Sequence, residues 1–386
     1  MSITESDRVA INELREAVKD HLTPYYDTDF NLLRWLKGHD YKLDVIKPKL
    51  INHLLFRKSD WDLDGLAEKP RDHPVHHHWK TGLTGESGII PNTIVNIEQT
   101  GSNDYWGMLQ SYPTNEVLRA RVHDLESMLK AVMDLERKTN QQCSVIYIMD
   151  LTGIKFDKKT ITLLTGGLSA ISAFMAEHYV ELIHSFVLVN VPAFISAIWT
   201  IAKPLLPERT RNKCNILGGE WRAEVLKMAE GRCLPSYWND EEDDGPFTAP
   251  VEKCVPFPEE NYYKGKVPAN ADHLSVSAGK TGHVDIEVKT GQTLSWEIHA
   301  NGHFAFAIYE LPLVPLNSPE TDNLTRVYPL FSKIPGPTMV PCIDKIECPS
   351  TGDSDLLRFL THIFLVFSNL SYLVRQPTCL VSHTQN

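Results

Sequence analysis

The spacing of apolar residues changes period twice along the chain. Residues 7–58 keep helical spacing in three stretches, "DRVAINELREAVKDHL", "DTDFNLLRWLKGHD" and "LDVIKPKLINHLLFRK". Asp29 and Asp44 offer N-caps for the second and third, and Val45, Ile46, Leu50, Leu54 and Leu55 give the third an apolar face. After a mixed stretch in which "GIIPNTIVNIEQTG" offers a strand, Leu118, Val122, Leu125, Leu129, Val132 and Leu135 mark one side of a long amphipathic helix. From residue 143 the pattern alternates. "CSVIYIMDL" predicts a buried strand, "KTITLLTGGLSAISAFMAEHY" a helix, "SFVLVNV" a strand, "AFISAIWTIAKPLL" a helix, "KCNILG" a short strand and "WRAEVLKMAEG" a helix. Such alternation implies a mostly parallel sheet with crossover helices, an α/β fold. Beyond the linker "NDEEDDGPFTAPVEKCVPFPEEN" the period becomes two, with Val284, Ile286 and Val288, then Leu294, Trp296 and Ile298, then Phe304, Phe306 and Ile308. That predicts an antiparallel β-sandwich.

Residues 185–202, "SFVLVNVPAFISAIWTIA", carry no charge. A membrane-spanning helix needs about 20 consecutive apolar residues. Asn190, Pro192, Ser196 and Thr200 interrupt this run, and a proline in mid-helix removes a backbone donor. A strand, a break at Pro192 and a helix are expected instead. The C-terminal "HIFLVFSNLSYLVR" is too short and polar to span, and the first twenty residues have neither the basic nor the apolar segment of a signal peptide.

Composition narrows the classes. At 386 residues, 42% apolar and 23% charged, the chain has room for two or three domains of ordinary soluble character. A formal charge of −11 argues against nucleic acid as a partner, because phosphate affinity needs a basic surface. Seven scattered cysteines without a C-x-x-C pair fit a reducing, cytoplasmic setting.

Candidate chemistry is sparse. "SAGKTG" at 277–282 imitates the end of a phosphate-binding loop, but Leu274 stands where the first glycine belongs, and a hairpin turn accounts for it. "DLTG" at 150–153 reads as a strand-ending turn. "HPVHHHW" places His73, His76, His77 and His78 together, yet consecutive histidines cannot converge on one ion, so a solvated loop is expected and no metal. No common catalytic motif is present, which favours binding over catalysis, with no cofactor. The helix expected over 159–179 is apolar on more than one face, through Ile161, Leu163, Leu164, Leu168, Ile171, Phe174 and Met175. It fits either a large core or a hollow that holds a hydrophobic ligand.

These residues carry a resemblance. "DFNLLRWLKGHDYKLDVIKPKLINHLLFRK", "VIYIMDLTGI", "HYVELIHSFVLVNVPAFISAIWTIAKPLLPERTRNKCNILG" and "LP" at 234–235 resemble the blocks of CRAL-TRIO lipid-binding proteins. The tail from about 265 resembles a GOLD (Golgi dynamics) β-sandwich, and the combination is similar to the supernatant protein factor and tocopherol-associated proteins. The implied architecture is a helical region over 1–60, an α/β lipid-binding domain over 61–242, a linker over 243–264 and a sandwich over 265–386 with an irregular end. There "DSDLLRFLTH" interrupts the family's run and "PTCLVSHTQN" makes a poor last strand.

The resemblance implies one bound lipid and no other cofactor, the lipid being a phosphoinositide, phosphatidylcholine, tocopherol or a sterol precursor. It further implies transient contact with a membrane surface and a protein partner through the sandwich. The helix "AFISAIWTIA", with Phe194, Ile198 and Trp199, corresponds to the family's gate, which with Leu168, Ile171, Phe174 and Met175 would bound the lipid. Lys203, Arg209, Arg211 and Lys213 lie beside it to attract anionic headgroups. Phosphoinositide-headgroup positions fall on Glu181, Thr210 and Lys213; a fourth, arginine in the family pattern, is His39 here. A further departure is "PSYWND", where the family has tyrosine and two glycines. Lipid transfer and lipid-regulated adaptor function both fit this pattern.

Overall fold

A computed structural model describes residues 2–202, 208–239, 244–269, 271–276, 281–289, 293–311, 325–334, 336–347, 356–364 and 378–385. The amino-terminal helices are α1 (Glu5–Val18), α2 (Asp29–Gly38), α3 (Leu43–Arg57), α4 (Leu63–Leu66) and α5 (Val75–His78). Thr28, one residue before the expected Asp29, caps α2 by accepting the Asn31 N–H, and α3 starts at Leu43 without a side-chain cap. Ile46, Leu50 and Leu54 bury the inner face of α3, whereas Val45 points outward.

Next come β1 (Thr81–Glu86), β2 (Thr93–Glu98), α6 (Tyr105–Ser111), α7 (Thr114–Thr139) and β3 (Ser144–Asp150). They are followed by α8 (Lys158–Thr165), α9 (Gly167–His178), β4 (Ile183–Val189), α10 (Ala193–Ala202), α11 (Glu208–Lys213), β5 (Cys214–Ile216) and α12 (Trp221–Val225). The expected strand–helix alternation from 143 is therefore present, with the break at Pro192 where the sequence places it. The five strands form one sheet in the order β1-β2-β3-β4-β5, parallel from β2 to β5, with β1 antiparallel at the edge. β1 carries no apolar alternation and escaped the sequence reading. The helix expected over 159–179 is two helices, parted at Gly166, whose backbone (φ −110°, ψ −100°) no helix accommodates.

The sheet has two unlike faces. Val95, Ile97, Ile146, Ile148, Val187 and Val189 pack under Trp221, Val225, Leu234, Trp238 and Phe247 as a continuous apolar layer. The opposite face carries Asn96, Glu98, Tyr147, Met149 and Phe186, paired across strands as Asn96–Tyr147, Glu98–Met149 and Tyr147–Phe186. That face is the one that meets α7 and α9.

The remainder forms two antiparallel four-stranded sheets. Their strands are β6 (Asp272–Ser275), β7 (Thr281–Lys289), β8 (Thr293–Ala300), β9 (Phe304–Leu311), β10 (Thr325–Ile334), β11 (Cys342–Glu347), β12 (Leu356–Phe364) and β13 (Thr378–Gln385). The orders are β10-β9-β12-β7 and β11-β8-β13-β6. Trp296 of one sheet packs edge-on to Tyr328 of the other at 4.7 Å, and Phe306 lies 5.7 Å from each. Within the end expected to be irregular, "LLRFLTHIF" and "TCLVSHTQ" are interior strands of the two sheets, while residues 348–355 and 365–377 lie outside the described residues. Backbone pairing to neighbours on both sides overrides their weak alternation. The "SAGK" of the imitation phosphate loop lies outside the described residues; its final "TG" opens β7.

The histidine run is also corrected. It forms α5 rather than a solvated loop, and His76 is buried 3.7 Å from Asp124, with burial pushing its pKa down to about 4. No His, Cys, Asp and Glu cluster able to hold a metal occurs among the described residues, and no described helix is long and apolar enough to cross a membrane.

Candidate functional site

Between the polar-bearing face of the sheet and helices α7 and α9 lies a cavity of about 590 Å³. Its walls are largely apolar, formed by Leu125, Met149, Leu164, Ile171, Met175 and Phe186 among others. A volume of this order accommodates a small hydrophobic molecule. It exists because α9 turns two of its faces to protein. Ile171 and Met175, four apart, point into the cavity, while Phe174 faces the other way onto Phe56, His178 and Phe331.

Of the residues singled out from sequence, His39, Ile171, Met175, Glu181 and Lys213 line one cavity although they come from four separate elements. Phe174 is a correction, being a core residue outside the lining. Phe194 and Trp199 are half-buried on α10 and do not appear among the described lining residues; the Phe194 ring meets Phe156 at 5.3 Å. The side chains of Leu168, Ile198 and Thr210 lie outside the described residues, as do those of Lys203 and Arg209.

One end of the cavity is half-buried and charged. Lys213 Nζ donates to Glu181 Oε2 at 3.0 Å and to the Ile183 carbonyl at 2.9 Å. Glu181 holds φ at +54°, a left-handed backbone uncommon for a residue other than glycine and suited to turning its carboxylate toward the lysine. His39 caps the C-terminus of α2; its ring stacks on Trp35 with 5.6 Å between centroids, and Nδ1 donates to the Trp35 carbonyl at 3.2 Å. Gly38 lets Val180, next to Glu181, pack against the end of α2, because a Cβ there would overlap the Val180 side chain.

The other end is buried and polar, and sequence reasoning missed it. Glu98 accepts hydrogen bonds from Trp79 Nε1 at 3.2 Å and from the hydroxyls of Tyr105 and Tyr147. Burial and the adjacent carboxylate push the Tyr105 phenol well above its usual range, so it stays a donor. Arg121, 2% exposed, donates to Tyr147 Oη at 2.7 Å. A signal for it did exist: Arg121 falls three after Leu118 and four before Leu125, a charge on the apolar stripe of α7.

Residues 92–239 match the model of the CRAL/TRIO domain, and residues 3–66 match a domain of unknown function, DUF8435. The chain is 28% identical over 297 residues to the CRAL-TRIO domain-containing protein F28H7.8 of Caenorhabditis elegans, covering 72% of this chain and 69% of that protein. It is 22% identical over 230 residues to the phosphatidylinositol/phosphatidylcholine transfer protein SFH11 of Arabidopsis thaliana, covering 56% of this chain and 58% of that one. Among solved structures, the crystal structure of Sfh5 is 14% identical, with a TM-score of 0.49 over 65% of this chain and 94% of that chain. Residues 92–239, which carry strands β2 to β5 and most of the cavity lining, are thus the part of the chain similar to a CRAL-TRIO domain.

Proposed function

We propose that this chain holds one lipid in the cavity beneath α9 and exchanges it at a membrane surface. The observation that carries the reading is the cavity itself, about 590 Å³ with apolar walls and the Glu181–Lys213 pair at its half-buried end. Burying an acyl chain there contributes about 0.8 kcal/mol per CH₂, enough to offset much of what leaving a bilayer costs. Lys213 and His39 form the headgroup end, and phosphoinositide and phosphatidylcholine are the first ligands to try. SFH11 is named for transferring both.

In this reading α10 is the gate. On the segment that meets it through the Phe156–Phe194 contact, Phe156, Ile161 and Leu164 are exposed at 63%, 46% and 46%, interleaved with exposed Lys155, Lys158 and Lys159. Exposed apolar side chains among lysines fit an anionic bilayer surface. The two antiparallel sheets, paired through Trp296, Phe306 and Tyr328, support the GOLD resemblance and would offer the protein-partner surface.

The test is a donor-to-acceptor vesicle assay with labelled phosphatidylinositol and phosphatidylcholine, alongside native mass spectrometry of the purified chain. Bound lipid with net transfer is expected. Bound lipid without transfer would leave a lipid-regulated adaptor, and an empty cavity that takes up neither lipid would overturn the proposal.

A further inference from the structure

The buried polar end of the cavity has unused donors. Arg121 Nη2 donates to Tyr147, lies 3.6 Å from Met175 Sδ and 3.9 Å from Glu98 Oε2, and Nη1 lies 3.6 Å from Asp124 Oδ2. The guanidinium sits 5.2 Å above the Trp79 ring and 5.5 Å above that of Tyr147. Yet Nε has no hydrogen-bond acceptor among the described residues, Nη1 has only the longer ion pair with Asp124 Oδ2, and Thr100 Oγ1, which lines the same cavity, has none. Buried donors left without acceptors are rare and costly, so an oxygen presented inside the cavity to Arg121 or Thr100 would be strongly held.

The local charge decides which oxygen. Asp124 is bound by Arg71 at 2.6 Å, and His76 beside it is held neutral, so two guanidinium groups face the two carboxylates Glu98 and Asp124. The balance is already zero. A ligand carboxylate or phosphate would add an uncompensated buried charge, whereas a hydroxyl or carbonyl accepts the free N–H groups without one.

We propose that the cavity takes a hydrophobic ligand bearing an uncharged oxygen, a hydroxyl or carbonyl, that is seated against Arg121 and Thr100. This rests on the reading that the cavity holds lipid, and it is independent of what the half-buried end recognises. A bare hydrocarbon leaves the donors unmet, and a fatty acid overcharges the site.

The experiment uses the full chain loaded with radiolabelled oleyl alcohol and challenged with unlabelled oleyl alcohol, oleic acid or 1-octadecene. The alcohol is expected to displace the label about tenfold better than either of the others, the scale of one hydrogen bond to a charged donor. Arg121→Met should bring the alcohol down to the level of the hydrocarbon while the hydrocarbon competes as before. Because that change leaves two carboxylates short of a cation, Thr100→Val is the companion variant, expected to weaken the alcohol about threefold with melting unchanged. Equal displacement by alcohol and hydrocarbon, preference for the acid, or a preference that survives both substitutions would overturn the inference and leave lipid binding standing. Failure of all three compounds to bind would overturn the inference, whereas failure of phosphatidylinositol and phosphatidylcholine to bind as well would overturn the lipid-binding reading too.

Discussion

Lys213 is tied to Glu181 and to a backbone carbonyl, so in the proposed reading a lipid phosphate would meet an ammonium whose position is already fixed. Preorganisation of this kind lowers the cost of ordering a long side chain on binding. We expect Lys213→Ala to weaken phosphatidylinositol phosphate binding by roughly tenfold or more, the worth of a charge-assisted hydrogen bond, and phosphatidylcholine binding far less. Titration with vesicles of each lipid checks this, and equal loss for both would mean that Lys213 supports the fold and not the headgroup. His39 puts an imidazole, and not a guanidinium, at the same end of the cavity. The residues facing that end were legible in the sequence because their identities match a motif. Those at the buried end were not, because Glu98 and Tyr147 gain their meaning only from lying on one face of adjacent strands.

At the scale of elements, α10 separates two explanations of an uncharged helix. A core helix would bury its apolar residues fully, yet Phe194, Ile195 and Trp199 are only half-buried, while Ala193, Ser196, Ala197 and Thr200 are exposed. Phe194 leans on Phe156, itself 63% exposed, so the contact lies at the surface. We expect Phe194→Ser to reduce vesicle-to-vesicle transfer severalfold while shifting the melting temperature by no more than about 2 °C, since partly exposed substitutions cost little stability. Loss of transfer in proportion to loss of melting temperature would return α10 to the core and remove the gate. The break between α8 and α9 is a related case. Two glycines at 166–167 weaken the helix there, but nothing in the local pattern says that the chain turns at that point.

On the scale of the whole molecule, the antiparallel sheets are joined to the helices through an apolar and imidazole-rich seam. Phe331 of β10 packs on Trp61 and Phe174, and Arg326 of β10 hydrogen-bonds Asn52 of α3. Beneath it, His53 of α3 and His178 of α9 share a hydrogen bond, Nδ1 to Nδ1 at 3.2 Å. Burial pushes His178 down to about 3, helped by the Arg326 charge, and burial with Arg57 and His178 pushes His53 well below the ordinary range. Unfolded, both imidazoles bind protons near pH 6.5, so below that value the unfolded chain holds more protons than the folded one. Their contribution to stability is therefore complete above about pH 6.5 and is lost as the pH falls toward 3. Thermal melts between pH 7 and 4.5 should show a steep decline that His178→Gln flattens; an unchanged slope would assign the acid sensitivity elsewhere.

The same seam marks the limit of sequence reading. Period and punctuation alone determined the helical lead-in, the strand–helix alternation with its break at Pro192, and the two-residue period of the carboxy-terminal strands, because each depends only on neighbours a few residues apart. Which face of α9 lines a cavity and which faces β10, how strands β12 and β13 enter their sheets, and why Arg121 is left with unused donors were decided by the tertiary structure. Those outcomes depend on what lies across the gap, and the side chains that meet there are separated by tens to hundreds of residues.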